Sequence, residues 1–201
     1  MGAVNADDAA AGCDGDGDGD PDAAMLRGTR LHLLLERLPH VPPADWPARA
    51  RALLAGAEGG LPDAAELADL LAEAAAVITA PELAEVMTPA PGAQILAEVG
   101  LTAPLPGLGM IHGAVDRLIV SEAEILAVDY KSNTVVPDRP EDTPEGILRQ
   151  MAAYRAAMRL IWPGRPVRIA VLWTAARSLM PIPDAVLDHV MAALDRRAMA
   201  S

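Results

Sequence analysis

The sequence predicts an α/β domain. Apolar residues recur at helical spacing in five segments, whereas four shorter apolar runs have the length and composition of strands. Along the chain these segments follow one another as helices, three strands, a helix, a strand and a final helix. No segment repeats at an interval of about 20–50 residues, which excludes a solenoid or a propeller.

Each element has a local signal. The first helix is predicted over residues 26–38, because the apolar positions 31, 34, 35 and 38 form one stripe and Pro39 ends it. Two strands around the turn at 121–124 predict a hairpin. Residues 100–109, rich in Pro and Gly, are predicted to form a turn region. The predicted elements are helices 26–38, 46–55 and 63–87 (interrupted near Pro81), strands 94–99, 111–120 and 125–131, helix 144–161, strand 167–173 and helix 184–199.

The chain divides into a polar lead-in and one folded domain. Residues 1–24 are mainly Ala, Gly and Asp and offer little to bury, so they are predicted to be disordered. Residues 25–201 are predicted to form a single domain, since 52% of the 201-residue chain is hydrophobic. The acidic run that starts at Asp14 resembles a calcium loop, but Met25 stands where that loop needs a glutamate, which favours a solvated linker.

The charge distribution excludes a strongly basic nucleic-acid-binding domain. The net charge is −12, but residues 1–22 hold seven Asp and no Lys or Arg, which leaves 21 acidic against 16 basic residues elsewhere. No Lys/Arg-rich run is present, so DNA affinity is expected to be modest or supplied by a partner. The lone Cys13, together with the lack of a leader or a long apolar segment, predicts a cytoplasmic protein with no membrane partner.

The chain has a single lysine, Lys131. Because an ammonium is a compact point charge and a guanidinium a planar fork, this position favours the compact cation. Asp129 and Lys131 lie two residues apart on a predicted strand, which places both side chains on one face, and the hairpin brings Asp116 beside them. Two carboxylates and an ammonium suit a Mg²⁺ ion whose bound water attacks a phosphodiester. The equally weighted alternative is an Asp–Lys salt bridge beside an unrelated aspartate.

Three further side chains are candidates for the same site. His32 interrupts the apolar stripe of the first helix and is either a metal ligand or, more often for a lone histidine, a satisfied core residue. Gln150 and Tyr154 are four residues apart on one helix face and would present an amide and a phenol to the metal site or to a nucleic-acid backbone. The alternative for Tyr154 is a half-buried ring with its hydroxyl at the surface.

Four short motifs occur together in a fixed order: Gly28-x-x-x-His32, Gly113-x-x-Asp116-Arg117, Asp129-Tyr130-Lys131 and Gln150-x-x-x-Tyr154. In combination they resemble the RecB-type branch of the PD-(D/E)XK nucleases, and more closely the carboxy-terminal nuclease domain of the AddA subunit of bacterial AddAB helicase–nucleases. The resemblance runs from about residue 25 to the end of the chain. Ser132 and Val115 stand where threonine and isoleucine are commoner, and both departures are conservative.

The resemblance implies a restriction-endonuclease-like core, in which a central mixed sheet is flanked by helices, with extra helices at the amino terminus. It also implies a metal, Mg²⁺ or alternatively Mn²⁺, and a set of site residues. In that set Asp116, Asp129 and Lys131 are catalytic, His32, Asp116, Asp129 and the Tyr130 carbonyl hold the metal, Gln150 and Tyr154 position the site and the strand, and Glu98 is a further candidate acid.

The resemblance further implies an exonuclease that acts in double-strand break repair, with DNA, the AddA motor region and an AddB-type subunit as partners. The sequence has no G-x-x-x-x-G-K-[ST] loop, so ATPase and helicase activity are not expected, and the chain is either a fragment or works in trans with a motor. The alternative is a nuclease-fold binding module docked on a helicase subunit. A dinucleotide-binding enzyme is excluded, since the glycines at 107, 109 and 113 precede a strand and do not join a strand to a helix.

Overall fold

The computed structural model describes residues 4–5, 20–89, 91–105, 109–133 and 135–199. Within these ranges the α-helices are α1 (Pro21–Arg37), α2 (Trp46–Ala55), α3 (Ala64–Thr79), α4 (Ala84–Met87), α5 (Glu145–Ile161) and α6 (Asp184–Met199). The strands are β1 (Val4–Asn5), β2 (Gln94–Leu105), β3 (Gly109–Val120), β4 (Ile125–Lys131), β5 (Val167–Trp173) and β6 (Ser178–Ile182). The acidic run from Asp14 and Cys13 lie outside the described residues.

The strands form one mixed sheet. β3 pairs antiparallel with β2 along one edge, and along its other edge it pairs antiparallel with β4 and parallel with the two-residue β1. β5 runs parallel to β4, and β6 runs antiparallel to β5. A parallel pair needs a long crossover, which α5 supplies between β4 and β5. This mixed sheet with flanking helices confirms the predicted fold and the predicted hairpin.

The two faces of the sheet are covered by different helices. Leu126, Val128 and Tyr130 of β4 pack in the core formed with α1–α4, whereas Ile125 and Ala127 pack in the core formed with α5. Because side chains alternate along a strand, Asp129 and Lys131 leave β4 on the α5 side. Both faces of β4 are buried, which explains why its sequence is a nearly continuous apolar run.

The predicted helices are confirmed, with one shifted start. α1 begins at Pro21, five residues before the predicted position, because the Asp20 carboxylate accepts the Asp22 main-chain N–H and a proline occupies the first turn. The predicted interruption near Pro81 is a 3₁₀ turn, Pro81–Leu83, between α3 and α4. No helix in the described ranges combines the length and the apolar character needed to cross a bilayer.

The prediction of a turn region at 100–109 is wrong for its first half. β2 continues to Leu105, and its pairing with β3 extends from Gln94–Val120 to Leu105–Gly109. Alternate side chains at Leu101, Ala103 and Leu105 are buried, so cross-strand pairing and burial outweigh the local preference of the intervening residues. Pro104 is exposed and tolerated because β2 is an edge strand.

The sequence reasoning also missed β6, which forms the opposite edge of the sheet. Met180 and Ile182 of this strand are buried, while Pro181 between them is exposed. Pro181 interrupts the sequence pattern of a strand. Because β6 is an edge strand, the N–H that proline lacks is not needed for a hydrogen bond to a neighbouring strand. The strand order therefore has one more member after β5 than predicted.

Candidate active site

The candidate site lies at the carboxyl end of β4, where Asp129 and Lys131 occupy alternate positions. Lys131 Nζ is 2.8 Å from Asp129 Oδ2, and it donates a 3.2 Å hydrogen bond to Gln150 Oε1 on α5. The Asp129 side chain is buried and that of Lys131 is 18% exposed, so water screens the pair only in part. The single lysine thus lies between a carboxylate and an amide oxygen, a setting suited to a compact cation.

Asp116 is held at the site by the backbone of the neighbouring strand. Ladder pairing of β3 with β4 extends to Arg117 and Val128. Just beyond it, the Tyr130 main-chain N–H donates a 2.6 Å hydrogen bond to Asp116 Oδ2. The other carboxylate oxygen, Oδ1, is 3.1 Å from His32 Nδ1. The structure therefore joins the predicted residues as two contacting pairs, His32 with Asp116 and Asp129 with Lys131.

His32 reaches the site from α1, on the face of the sheet opposite α5. Its ring meets the Tyr130 ring edge to face, with centroids 5.6 Å apart and an angle of 89° between the planes. One turn earlier, a Cβ atom on Gly28 would lie 3.3 Å from Ser132 Oγ. Glycine therefore lets α1 approach the end of β4 closely, which gives the Gly28-x-x-x-His32 spacing a physical reason.

The electrostatics of the four charged groups are linked. Burial raises the pKa of Asp129 to about 6, although Lys131 lowers it, and the charge of Asp116 raises it further. Asp129 Oδ2 is buried, and its 2.8 Å contact with the Lys131 ammonium is a close ion pair. Burial lowers the pKa of His32, but the charges of Asp116 and Asp129 and the hydrogen bond with Asp116 together raise it more, so the net pKa lies above its ordinary value. A site of this kind favours an additional positive charge near Asp129.

The donor atoms fit a hard divalent cation, since Mg²⁺ prefers carboxylate and carbonyl oxygens. Asp129 Oδ2, which is buried and lies 2.8 Å from Lys131 Nζ, is an oxygen of this kind. Across the described ranges, however, no three His, Cys, Asp or Glu side chains are grouped so that they could hold a metal ion. The assignment of His32, Asp116, Asp129 and the Tyr130 carbonyl as metal ligands therefore stays a prediction.

Gln150 and Tyr154 face inward and support the lysine. Gln150 Nε2 donates to the Tyr154 hydroxyl over 2.9 Å, and that hydroxyl donates to the Ala114 carbonyl of β3 over 2.7 Å. Both side chains are buried, which excludes a Tyr154 hydroxyl at the surface. The predicted shared helix face is present and directs the Gln150 amide toward Lys131, while its role in positioning a nucleic-acid strand stays a prediction.

Glu98 lies on β2 at the level of Asp116, between the paired positions Ala97–Arg117 and Val99–Val115. It is exposed, and its φ of 48° puts it in the left-handed region, which a residue other than glycine seldom adopts. No hydrogen bond or ion pair joins it to Asp116 or Asp129 among the residues that the structure describes. Its role as a further acid stays a prediction.

Sequence reasoning missed Thr174, which holds the Lys131 backbone, and Glu73, which holds the Thr174 side chain. The main-chain N–H of Thr174, at the end of β5, donates to the Lys131 carbonyl over 3.0 Å. The Thr174 hydroxyl donates to Glu73 Oε1 on α3 over 2.8 Å, and Glu73 Oε2 pairs with Arg27 on α1 at 2.7 Å. No motif marks Glu73, because its contacts are about 50 to 100 residues away in the chain and follow only from the packing of α3.

Arg117 stands inside a recognised motif but received no role from the sequence. Its side chain is 1% exposed and donates to the Tyr130 hydroxyl and to two helix carbonyls. In the sequence, only its position next to Asp116 indicates that Arg117 has a role at the site.

Comparisons with known proteins bear on the family. The family model described as "PD-(D/E)XK nuclease superfamily" matches residues 9–193. A search of curated proteins gives no match. Among solved structures, one titled "Crystal structure of SSO0001" is similar to this chain with 12% identity and a TM-score of 0.35, covering 86% of this chain and 84% of that one, a likeness too distant to bear on function. From the family match, which spans most of its length, this chain belongs to the PD-(D/E)XK nuclease superfamily.

Proposed function

We propose that the chain is a Mg²⁺-dependent deoxyribonuclease that hydrolyses phosphodiester bonds at DNA ends. The observation that carries the proposal is the placement of Asp129, Lys131 and Asp116 at the end of β4 in a member of a nuclease superfamily. The superfamily also contains inactive members, so the integrity of this set is what favours catalysis here.

Asp116 and Asp129 would hold the metal, together with His32 and the Tyr130 carbonyl. When bound, such an ion neutralises charge on a phosphate oxygen and lowers the pKa of a bound water. Asp129 is suited to this because burial and the neighbouring Asp116 already oppose its ionised form. A divalent cation held by these residues would offset that penalty.

Lys131 supplies a second positive charge at the site, in addition to that of the metal ion. Its ammonium is oriented by Asp129 at 2.8 Å and by Gln150 at 3.2 Å, and Tyr154 in turn fixes the Gln150 amide. From this position it hydrogen-bonds the attacking water and stabilises negative charge on the phosphate in the transition state. Gln150 and Tyr154 therefore act through the lysine and do not contact the substrate.

The motif set supports a finer assignment to an AddA-type nuclease that uses Mg²⁺ or Mn²⁺ in double-strand break repair and recombination. In this proposal the enzyme is an exonuclease of the bacterial cytoplasm that receives a DNA strand from an AddA motor region with an AddB-type subunit. The helicase partner would add to a DNA affinity that the acidic charge balance of this chain is expected to keep modest.

The pairing of arginines with carboxylates favours a second candidate, a nuclease-fold module that binds a helicase subunit and does not cut unaided. In the described part of the chain, arginines at eight positions pair with carboxylates, at 27, 30, 37, 139, 149, 155, 159 and 168. Paired guanidinium groups contribute less to phosphate binding than unpaired ones, because their charge is already neutralised.

A nuclease assay separates the two candidates. The purified protein is incubated with linear single-stranded and double-stranded DNA and Mg²⁺, next to Lys131→Ala and Asp129→Asn variants of confirmed fold. The proposal expects cleavage by the wild type and a loss of at least about 100-fold in both variants. Cleavage by the wild type no greater than by Lys131→Ala removes autonomous activity and favours the binding module.

A further inference from the structure

Arg117 is a buried cation without a carboxylate partner. It follows Asp116 on β3, and its side chain is 1% exposed. Its three hydrogen bonds all go to neutral acceptors, and in the described ranges no carboxylate pairs with it. Burying a charge without a counterion costs folding free energy. If Arg117 served only to fill space, an apolar side chain of similar volume would do so with less destabilisation.

The Arg117 guanidinium group hydrogen-bonds to two helices, α1 and α4, and to one strand, β4. Nη2 donates to the Leu35 carbonyl in the last turn of α1, and Nη1 donates to the Val86 carbonyl of α4, both over 3.2 Å. Nε donates to the Tyr130 hydroxyl over 2.7 Å. Carbonyls at the end of a helix lack intrahelical donors, so the planar fork satisfies groups that would otherwise be unpaired in the core.

Through these contacts Arg117 reaches both partners of the His32–Asp116 pair. Tyr130, held by its hydroxyl, bonds Asp116 with its main-chain N–H and contacts the His32 ring with its own ring. Leu35 lies one turn after His32 on the same helix, so the bond to its carbonyl fixes α1 beside β3. The Arg117 side chain is therefore connected to the His32 imidazole in two ways, through Tyr130 and through the last turn of α1.

We propose that Arg117 is a positioning residue that sets the placement of His32 relative to Asp116 by fixing the Tyr130 hydroxyl and the last turn of α1. It does not touch the substrate. The proposal rests on the proposed nuclease function only for its effect on turnover, because the geometry of the His32–Asp116 pair is measurable without any reaction.

The test uses Tyr130→Phe, Arg117→Lys and the control Arg168→Lys, whose arginine pairs with Glu85 and Glu124 away from the site. Tyr130→Phe removes only the hydroxyl and keeps the buried ring, so it is expected to fold even if Arg117→Lys does not. The first readout is the NMR signal of the His32 ring, identified among the four histidines by its loss in His32→Ala. The second is kcat and KM on linear DNA, and the third is Mn²⁺ affinity.

The proposal expects Tyr130→Phe and folded Arg117→Lys to shift the His32 signal, to weaken Mn²⁺ binding and to lower kcat by about 10- to 100-fold with KM unchanged. Arg168→Lys is expected to leave all three as in the wild type. An unchanged His32 signal in Tyr130→Phe, with only a lower Tm, overturns the proposal and makes Arg117 a stability residue. If the wild type does not cut DNA, the proposed function fails, while the His32 signal and the Mn²⁺ affinity still decide the positioning role.

Discussion

Replacement of Asp129 by asparagine should make the metal-free protein more stable at neutral pH while it removes cleavage. The folded state raises the pKa of Asp129 from 3.8 to about 6, chiefly because the carboxylate is buried. At pH 7 to 8 the wild type therefore folds with an ionised group that the fold disfavours. About two pKa units at 1.36 kcal/mol each correspond to about 3 kcal/mol, and the site is too buried for solvent to screen much of it.

The sign of the effect fixes its pH dependence. Well below pH 4 the carboxyl is neutral in both the folded and the unfolded state, so wild type and Asp129→Asn should have similar stability. As the pH rises from about 4 to about 6, the unfolded state loses its proton before the folded state does, and the wild type loses stability relative to the variant. Above that range the difference should stay constant.

The assay is urea denaturation in EDTA at pH 4, 5, 6 and 8, with the free energy of unfolding as the readout. Asp184→Asn is the matched control of opposite sign, because the hydrogen bond from Arg155 lowers the pKa of Asp184 and its ionised form stabilises the fold. That variant should lose stability at neutral pH and converge with the wild type in acid. Parallel pH profiles for the wild type and Asp129→Asn, or a less stable Asp129→Asn at pH 8, would refute the electrostatic reasoning.

Two further substitutions test the support of the lysine. Lys131→Arg should lower the cleavage rate on linear DNA by about 100-fold, because a planar fork does not reproduce the two short contacts of the ammonium, and a rate near that of the wild type would contradict this. Tyr154→Phe removes the link from Gln150 to the Ala114 carbonyl, so it should cost about 1–3 kcal/mol in the free energy of unfolding and lower kcat without raising KM. If the wild type and Tyr154→Phe have equal kcat, the hydrogen bond to the Tyr154 hydroxyl is not needed to orient the Gln150 amide.

The sequence was sufficient for the central part of the fold because local signals and tertiary structure agree there. The hairpin pattern, with a polar turn and apolar strands, predicts that Asp116 lies near Asp129 and Lys131, and in the structure Asp116 accepts the main-chain N–H of Tyr130, which lies between them. The spacing of Gln150 and Tyr154 likewise predicted a shared face of α5. The inward direction of that face depends on the packing of α5 against the sheet, which no local pattern contains.

The missed features depend on contacts that are distant in the chain. β2 reaches Leu105, and β6 exists, because edge pairing accommodates prolines that locally predict a turn. Arg117 acts on main-chain carbonyls 82 and 31 residues away, and any residue supplies a carbonyl. The structure also adds a contact that the sequence did not predict, since His32 pairs directly with Asp116, while the grouping of the predicted ligands around one metal ion stays a prediction.

Metal titration tests the central claim most directly. Mn²⁺ binding is measured by calorimetry on the wild type, on Asp116→Asn and Asp129→Asn, and on the control Asp184→Asn, whose carboxylate begins α6 and pairs with Arg155 and Arg159. The account predicts a site in the wild type and in the control that is weakened by at least about 10-fold in each of the two site variants. Equal Mn²⁺ affinity in all four proteins, or no binding by a folded wild type, would contradict it.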